Sequence, residues 1–166
     1  MNVIDIRGLT KRYGKTFAVD RLDMHVAAGD IYGFVGKNGA GKSTTMKMVA
    51  GLAMPSAGQL ALFGEDRSHV AGSFSGAPSR IGALIEEPGV LPNFSATENM
   101  MMKALAMGVV RPHEQVDDLL ALVGLEGVGP RRVKKFSLGM KQRLGLALAL
   151  VGSPDLLLLD EPFNGM

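Results

Sequence analysis

Apolar and polar positions alternate from the start of the chain. "NVIDIRGL" (2–9) has the period of two of a half-buried strand, and "FAVDRLDMHV" (17–26) repeats it after a turn at Tyr13-Gly14-Lys15. "IYGFVG" (31–36) is an apolar run ending in glycine and predicts another strand. At Lys42 the period changes: "KSTTMKMVAGL" (42–52) has helical spacing, with Met46, Val49 and Ala50 on one side and Gly51 as the stop. "GQLALFGED" (58–66) predicts a strand, "RSHVAGSFSGAPS" (67–79) a loop, and "RIGALIEEP" (80–88) a strand ending in Glu86-Glu87-Pro88. The middle of the chain turns helical. Ser95 and Glu98 have capping-box spacing, so the serine hydroxyl and the glutamate carboxylate can serve the orphan amides of a helix start. "HEQVDDLLALVGL" (113–125) predicts a second helix ending at Gly124, and "SLGMKQRLGLALALV" (137–151) a third, stopped by "GSP". Four leucines, 156–159, then run into Asp160 and Glu161. Strands, strand–loop–helix, strands, a helical block and a buried strand describe an α/β core with an inserted helical subdomain at about residues 89–152.

Composition narrows the setting. At 166 residues the chain is long enough for one domain with a substantial core, and its 22 glycines imply many tight turns. With no cysteine there are no disulfides, no thiol chemistry and no Cys-type zinc site. A net charge of +2 is too mild to indicate nucleic-acid binding by itself. Mean hydropathy is +0.17, yet the longest apolar stretches, such as "LGLALALV" (144–151), fall well short of a bilayer span. The N-terminus lacks a cationic start followed by an apolar block, so no signal peptide is expected. The expected location is the cytoplasm, with any membrane association made through a partner.

The first chemical motif is Gly36-Lys37-Asn38-Gly39-Ala40-Gly41-Lys42-Ser43, a G-x-x-x-x-G-K-[ST] loop between a predicted strand and a predicted helix. Glycines at 36, 39 and 41, with Asn38 and Ala40 between them, let backbone amides turn inward around a β-phosphate, and the helix start adds partial positive charge. Lys42 can span β- and γ-phosphate oxygens, Ser43 can offer its hydroxyl to Mg²⁺, and Thr44 is placed to reach an α-phosphate. Such a loop needs a second strand that delivers a carboxylate to Mg²⁺ and a group that orients the attacking water. "LLLLDE" meets both needs: consecutive leucines suit a parallel strand covered on both faces, and ligands bind at the carboxyl ends of such strands. Asp160 is the candidate metal carboxylate. Glu161 is the candidate base for the water that attacks the γ-phosphate. A GTPase is disfavoured, since no N-K-x-D motif is present.

"FSLGMKQR" (136–143) precedes the acidic strand and opens a helix. Ser137 and the amides at Gly139 and Met140 form another anion-binding helix start. Here the chain resembles the nucleotide-binding subunits of ABC transporters, whose L-S-G-G-Q signature corresponds to Phe136-Ser137-Leu138-Gly139-Met140, with leucine for one glycine and methionine for glutamine. The resemblance covers essentially residues 1–166. It implies a P-loop NTPase core with an antiparallel β-subdomain and an inserted helical subdomain, incomplete at the C-terminus. It also implies that Ser137 and Gly139 cap the γ-phosphate of ATP held by a second nucleotide-binding subunit, in a head-to-tail dimer. Tyr13 falls where the family places an aromatic that stacks on adenine, with Val19 beside it. Glu86 falls at the Q-loop position, with glutamate for glutamine, a substitution that resembles the branch serving lantibiotic and bacitracin-type peptides. There Glu86 contacts Mg²⁺ or the attacking water and senses a transmembrane permease.

The resemblance thus implies a subunit that binds and hydrolyses ATP to power a membrane transporter, an exporter of a peptide or antibiotic. Alternatives are a soluble non-transport ABC-type ATPase acting on ribosomes or DNA, and a non-catalytic remnant. The family's domain normally continues beyond "EPFNGM" with an interface loop, another strand and a histidine that contacts the γ-phosphate, so weak ATP turnover and an apolar sheet edge are expected of this segment. The basic run Arg131-Arg132…Lys134-Lys135 lacks interleaved aromatics and is expected to be a solvated surface. Met100, Met101, Met102 and Met107 are expected to fill core, with an adaptable surface for a transporter's cytoplasmic helix as the alternative. His25, His69 and His113 have no metal-ligand spacing and are read as structural.

Overall fold

Alternating Ile4, Ile6, Met24, Val26, Leu60 and Leu62 have to share one face of a sheet, and pairing brings them together. The computed structural model describes residues 2–69 and 80–162, and the chain divides into two compact units, 1–75 and 76–166. In the first unit β1 (Asn2–Tyr13), β2 (Thr16–Ala27), β3 (Ala57–Leu62) and β4 (Glu65–Asp66) form an antiparallel sheet in the order β2-β1-β3-β4. Ile4 faces Val26 and Leu62 across the ladders, and Ile6 faces Met24 and Leu60. Ile6 and Leu9 are fully buried, each contributing about 1.5–3 kcal/mol.

The change of parity between Ile6 and Leu9 requires a register shift, and both of the β1 ladders have one nearby. Glycine is obligatory at that shift. Gly58 has φ +87°, and a Cβ there would lie 2.3 Å from the Gly8 carbonyl oxygen. The β1–β2 turn at Gly14-Lys15, with Gly14 at φ 58°, lies where the sequence predicts it.

Two expectations for this unit need correction. Residues 31–36 are not a strand: Ile31 and Val35 are 104% and 92% exposed, and the run has no ladder. An apolar run becomes a strand only when a neighbouring strand takes its backbone amides and carbonyls; among the described residues none pairs with this run. The helix, α1 (Lys42–Val49), is present with Gly51 at its end (φ 73°), but its buried residues are Thr45, Met48 and Val49 rather than Met46, Val49 and Ala50. The loop predicted at 67–79 lies mostly outside the described residues.

In the second unit β5 (Ile81–Leu84) pairs in parallel with β6 (Leu156–Leu159), in register from Ile81↔Leu156 to Leu84↔Leu159. Parallel partners need a long crossover, supplied by α2 (Ala96–Ala106), α3 (Pro112–Leu122) and α4 (Leu138–Leu150). The three helices share a core of Met100, Ala104, Val116, Leu120, Leu144 and Ala147, among others. The capping box at α2 forms as expected: Ser95 N donates to Glu98 Oε2 at 2.6 Å, and Glu98 N donates to Ser95 Oγ at 3.2 Å. Met100 is core, Met101 and Met107 pack against it, and Met102 is 38% exposed.

Helix α4 lies against β5 at close range. At Gly82 a Cβ would be 2.0 Å from the Ala149 carbonyl oxygen, and at Gly145 it would be 2.7 Å from Pro88 Cβ. Backbone rather than side chain therefore sets the spacing between helix and strand.

Candidate nucleotide site

In the first unit the loop at 36–43 meets β2 at Gly41. Gly39 and Gly41 have φ 82° and 87°, a region that side-chain-bearing residues rarely adopt. At Gly41 a Cβ would lie 2.2 Å from the Ala18 carbonyl oxygen and 2.9 Å from Val19 Cγ2. Val19, buried on β2, is thus the floor under the loop. Ala40 N donates to the Lys37 carbonyl at 3.0 Å, closing a turn at the loop tip.

Lys42 Nζ donates to the Gly36 and Lys37 carbonyls at 2.8 and 3.2 Å, which folds the ammonium back across the loop mouth. Gly41 caps α1 with no side-chain hydrogen bond, and no acid lies in the first turn. Lysine, loop amides and helix start therefore combine one sign of charge, an arrangement suited to a polyphosphate. Tyr13, at the end of β1, is 53% exposed. Lys11 Nζ sits 4.9 Å from its ring centroid, and Lys11 is the ladder partner of Val19.

In the second unit the parallel ladder brings the acids to one sheet end. Asp160 N donates to the Leu84 carbonyl at 2.8 Å, so Asp160 leaves β6 beside the segment that runs two residues on to Glu86. Asp160 is 9% exposed, whereas Glu86 and Glu161 are exposed. Both exposed acids adopt left-handed backbone, φ 62° at Glu86 and φ 45° at Glu161. Such conformations cost a bulky residue about 1 kcal/mol or more and cluster where geometry serves a site. Here each turns the chain sharply two residues past the end of a paired strand.

The predicted signature opens α4. Ser137 is the N-cap, its Oγ accepting from Met140 N at 3.2 Å, and no acid lies in the first turn. Gly139 is buried, Leu138 is 64% exposed, and Phe136 is anchored in the helical core. The basic residues 131, 132, 134 and 135 are exposed, as expected. Hairpin, loop, Lys42, Ser43 and Thr44 belong to the first unit; Glu86, Ser137, Gly139, Asp160 and Glu161 belong to the second.

Two functional candidates escape the sequence patterns. Asn99 is 5% exposed inside α2 and hydrogen-bonds back to the chain before the helix, and Gly145 lets α4 touch Pro88. The available signals were a poor helix former just after a capping box and a glycine within an apolar helix.

The architecture is that of an ATP-binding cassette. The dimeric structure of a post-hydrolysis state of the ATP-binding cassette MJ0796 bound to ADP and Pi matches 98% of this chain and 75% of its own, with a TM-score of 0.86 at 20% identity. The family model for ABC transporters matches residues 19–164, and the chain belongs to that family. Over 99% of its length it is 45% identical to a bacitracin transport ATP-binding protein of Bacillus licheniformis, covering 52% of that protein. It is 41% identical over 99% of its length to a lantibiotic transport ATP-binding protein of Streptococcus pyogenes, covering 68% of it. A Nod factor export ATP-binding protein of Burkholderia lata is 40% identical over 98% of this chain and 53% of its own. The chain spans about half the length of most of these relatives.

Proposed function

We propose that this chain is the nucleotide-binding part of a subunit that hydrolyses ATP to power a membrane exporter, with a peptide antibiotic of the bacitracin or lantibiotic kind as cargo. The observation that carries this reading is the parallel β5–β6 ladder, which ends in Glu86, Asp160 and Glu161 in a chain that also carries the phosphate loop. The cargo class is supported by the names of the relatives.

Each residue then has a chemical task. The loop from Gly36 through Asn38, Gly39, Ala40 and Gly41 wraps the β-phosphate with amides, Thr44 reaches the α-phosphate, and Lys42 exchanges its two carbonyl partners for β- and γ-phosphate oxygens. Tyr13 stacks on the adenine, and Val19 supports it from below the loop. Ser43, Asp160 and Glu86 offer only hard oxygen donors, the set that suits Mg²⁺. Among the described residues no three His, Cys, Asp or Glu side chains form a metal cage. Bound Mg²⁺ would neutralise developing phosphate charge. Glu161 accepts the proton of the water that attacks the γ-phosphate, and Glu86 orients that water. Ser137 and Gly139 cap the γ-phosphate of ATP on a second nucleotide-binding subunit, and residues 89–152 act as one inserted helical subdomain of a cassette of which 1–166 is a part.

The partners of this reading are ATP, a second cassette and a transmembrane permease that holds the protein at the cytoplasmic face of the membrane. Among the described residues no helix is long and apolar enough to cross a membrane. The test pairs two variants. Lys42→Ala should weaken Mg²⁺–ATP binding about 10- to 100-fold, the value of one or two charge-assisted hydrogen bonds. Glu161→Gln in the permease-assembled protein should keep ATP binding and abolish both hydrolysis and peptide export. A chain that binds no nucleotide would end the ATP reading; export that survives Glu161→Gln would end the transport reading.

A further inference from the structure

The connection from β5 to α2 carries Glu86 in left-handed backbone, and two buried features grip it from different helices. From α2, the Asn99 side chain forms a paired amide contact with Leu91: Oδ1 accepts from Leu91 N at 2.7 Å, and Nδ2 donates to the Leu91 carbonyl at 3.1 Å. The same Nδ2 donates to the Ser95 carbonyl at 2.8 Å. From α4, Gly145 meets Pro88 so closely that an added Cβ would lie 2.7 Å from Pro88 Cβ and 2.9 Å from Leu84 Cδ1. Between these points Val90 N donates to the Pro88 carbonyl at 2.7 Å, so little slack remains from Leu84 to Leu91.

The far side of the loop is tied to the approach to Ser137. Lys134 N donates to the Pro92 carbonyl at 2.8 Å, Val133 N donates to the Phe94 carbonyl at 2.9 Å, and Ser95 bridges to Arg132. One connection thus holds both the Glu86 turn and the segment that delivers Ser137.

We propose that Asn99 and Gly145 are positioning residues for Glu86, fixing the 88–91 connection from two helices and tying it to the residues that lead into Ser137. Neither side chain would touch nucleotide; they act by restricting where Glu86 stands. An Asn buried inside a helix and bonded outward to three backbone groups is costly to keep unless those bonds are made. A misplacement of about 1 Å costs a catalytic group up to about 10²-fold in rate.

The inference rests on the proposed role of Glu86, and its test separates the two. ATP turnover is compared in the permease-assembled protein for wild type, Asn99→Ala, Glu86→Ala and the double variant. Asn99→Ala should lower kcat about 10- to 100-fold with a smaller change in KM for ATP, since the phosphate loop is in the other unit. In the Glu86→Ala background the same change should cost little more, because the group it positions is gone. Full additivity, or a rise in KM alone, overturns the inference; an inert Glu86→Ala overturns the role of Glu86 instead. Amide exchange needs no turnover and decides the structural half. Asn99→Ala should release the amide at Val90, which closes on Pro88, together with Leu91, while the α2 interior stays protected. Release of Leu91 alone would show that the clamp does not reach the turn. If Asn99→Ala does not fold, Asn99→Asp, which keeps the acceptor for Leu91 N, is read in both ways.

Discussion

The phosphate loop and the acidic strand end reach their shapes by opposite routes. The loop is contiguous, with left-handed backbone at its own glycines, 39 and 41, and one close contact at Ala18 to seat it. The acidic end is assembled from segments far apart in sequence. An Arg80–Asp155 contact at 2.7 Å, spanning 75 residues, flanks the start of the ladder that sets Leu84 beside Asp160. That ion pair is exposed and contributes little; the ladder and the α4 backbone beneath it carry the arrangement. A loop of this kind fails locally, whereas an assembled end fails with the whole unit.

The sharpest way to break the contrast is Gly82→Ala. Its Cβ would meet the Ala149 carbonyl oxygen at 2.0 Å and Pro154 Cγ at 2.9 Å, so either β5 or α4 must move. Urea unfolding should show a loss of about 3 kcal/mol, the upper range for overpacking, together with loss of ATP turnover. A stable, active variant would mean that the helix–strand contact does not set the acids.

Gly41→Ala should act on a smaller scale and only locally. Left-handed backbone costs alanine about 1–2 kcal/mol, and the clash with Ala18 adds to it. Fluorescent nucleotide titration should show weaker binding, while circular dichroism keeps the helical signal of α2 to α4. A helical signal that fell in step with binding would erase the distinction between the two regions.

The smallest effect concerns pH. The backbone hydrogen bond from Ser95, followed by its side-chain bond, holds the Glu98 carboxyl below its usual value of 4.5. Its stabilising contribution is therefore present above that value and is lost as pH falls through the lower folded value. Urea midpoints followed downward from about pH 6 should fall more for wild type than for Glu98→Gln. Equal slopes would show that the capping box contributes nothing measurable to the helical unit.

Much of this was legible because it is local. The β1–β2 hairpin, the Ser95–Glu98 box, the stop at Gly124 and the helix from Ser137 each depend on residues within a turn or two of one another. The misses are non-local. Residues 31–36 and Leu156–Leu159 look alike as apolar runs, but only the leucines have a ladder partner among the described residues. The face that α1 buries departs from the apolar spacing because Thr45 turns inward, its hydroxyl donating to the Gly41 carbonyl at 2.9 Å. Asn99 and Gly145 carry no local signature of their contacts, since one is defined by Leu91 and the other by Pro88.

By itself the sequence determined the phosphate loop, the helix caps, the strand periods and the presence of two acids after an apolar strand, since each follows from residue type and short-range spacing. Tertiary structure alone decided which apolar runs are strands, that Glu86 and Asp160 leave one sheet end together, and that Asn99 and Gly145 meet the connection that follows Glu86. Those outcomes depend on backbone hydrogen bonds and close contacts between segments that approach one another only when the chain folds.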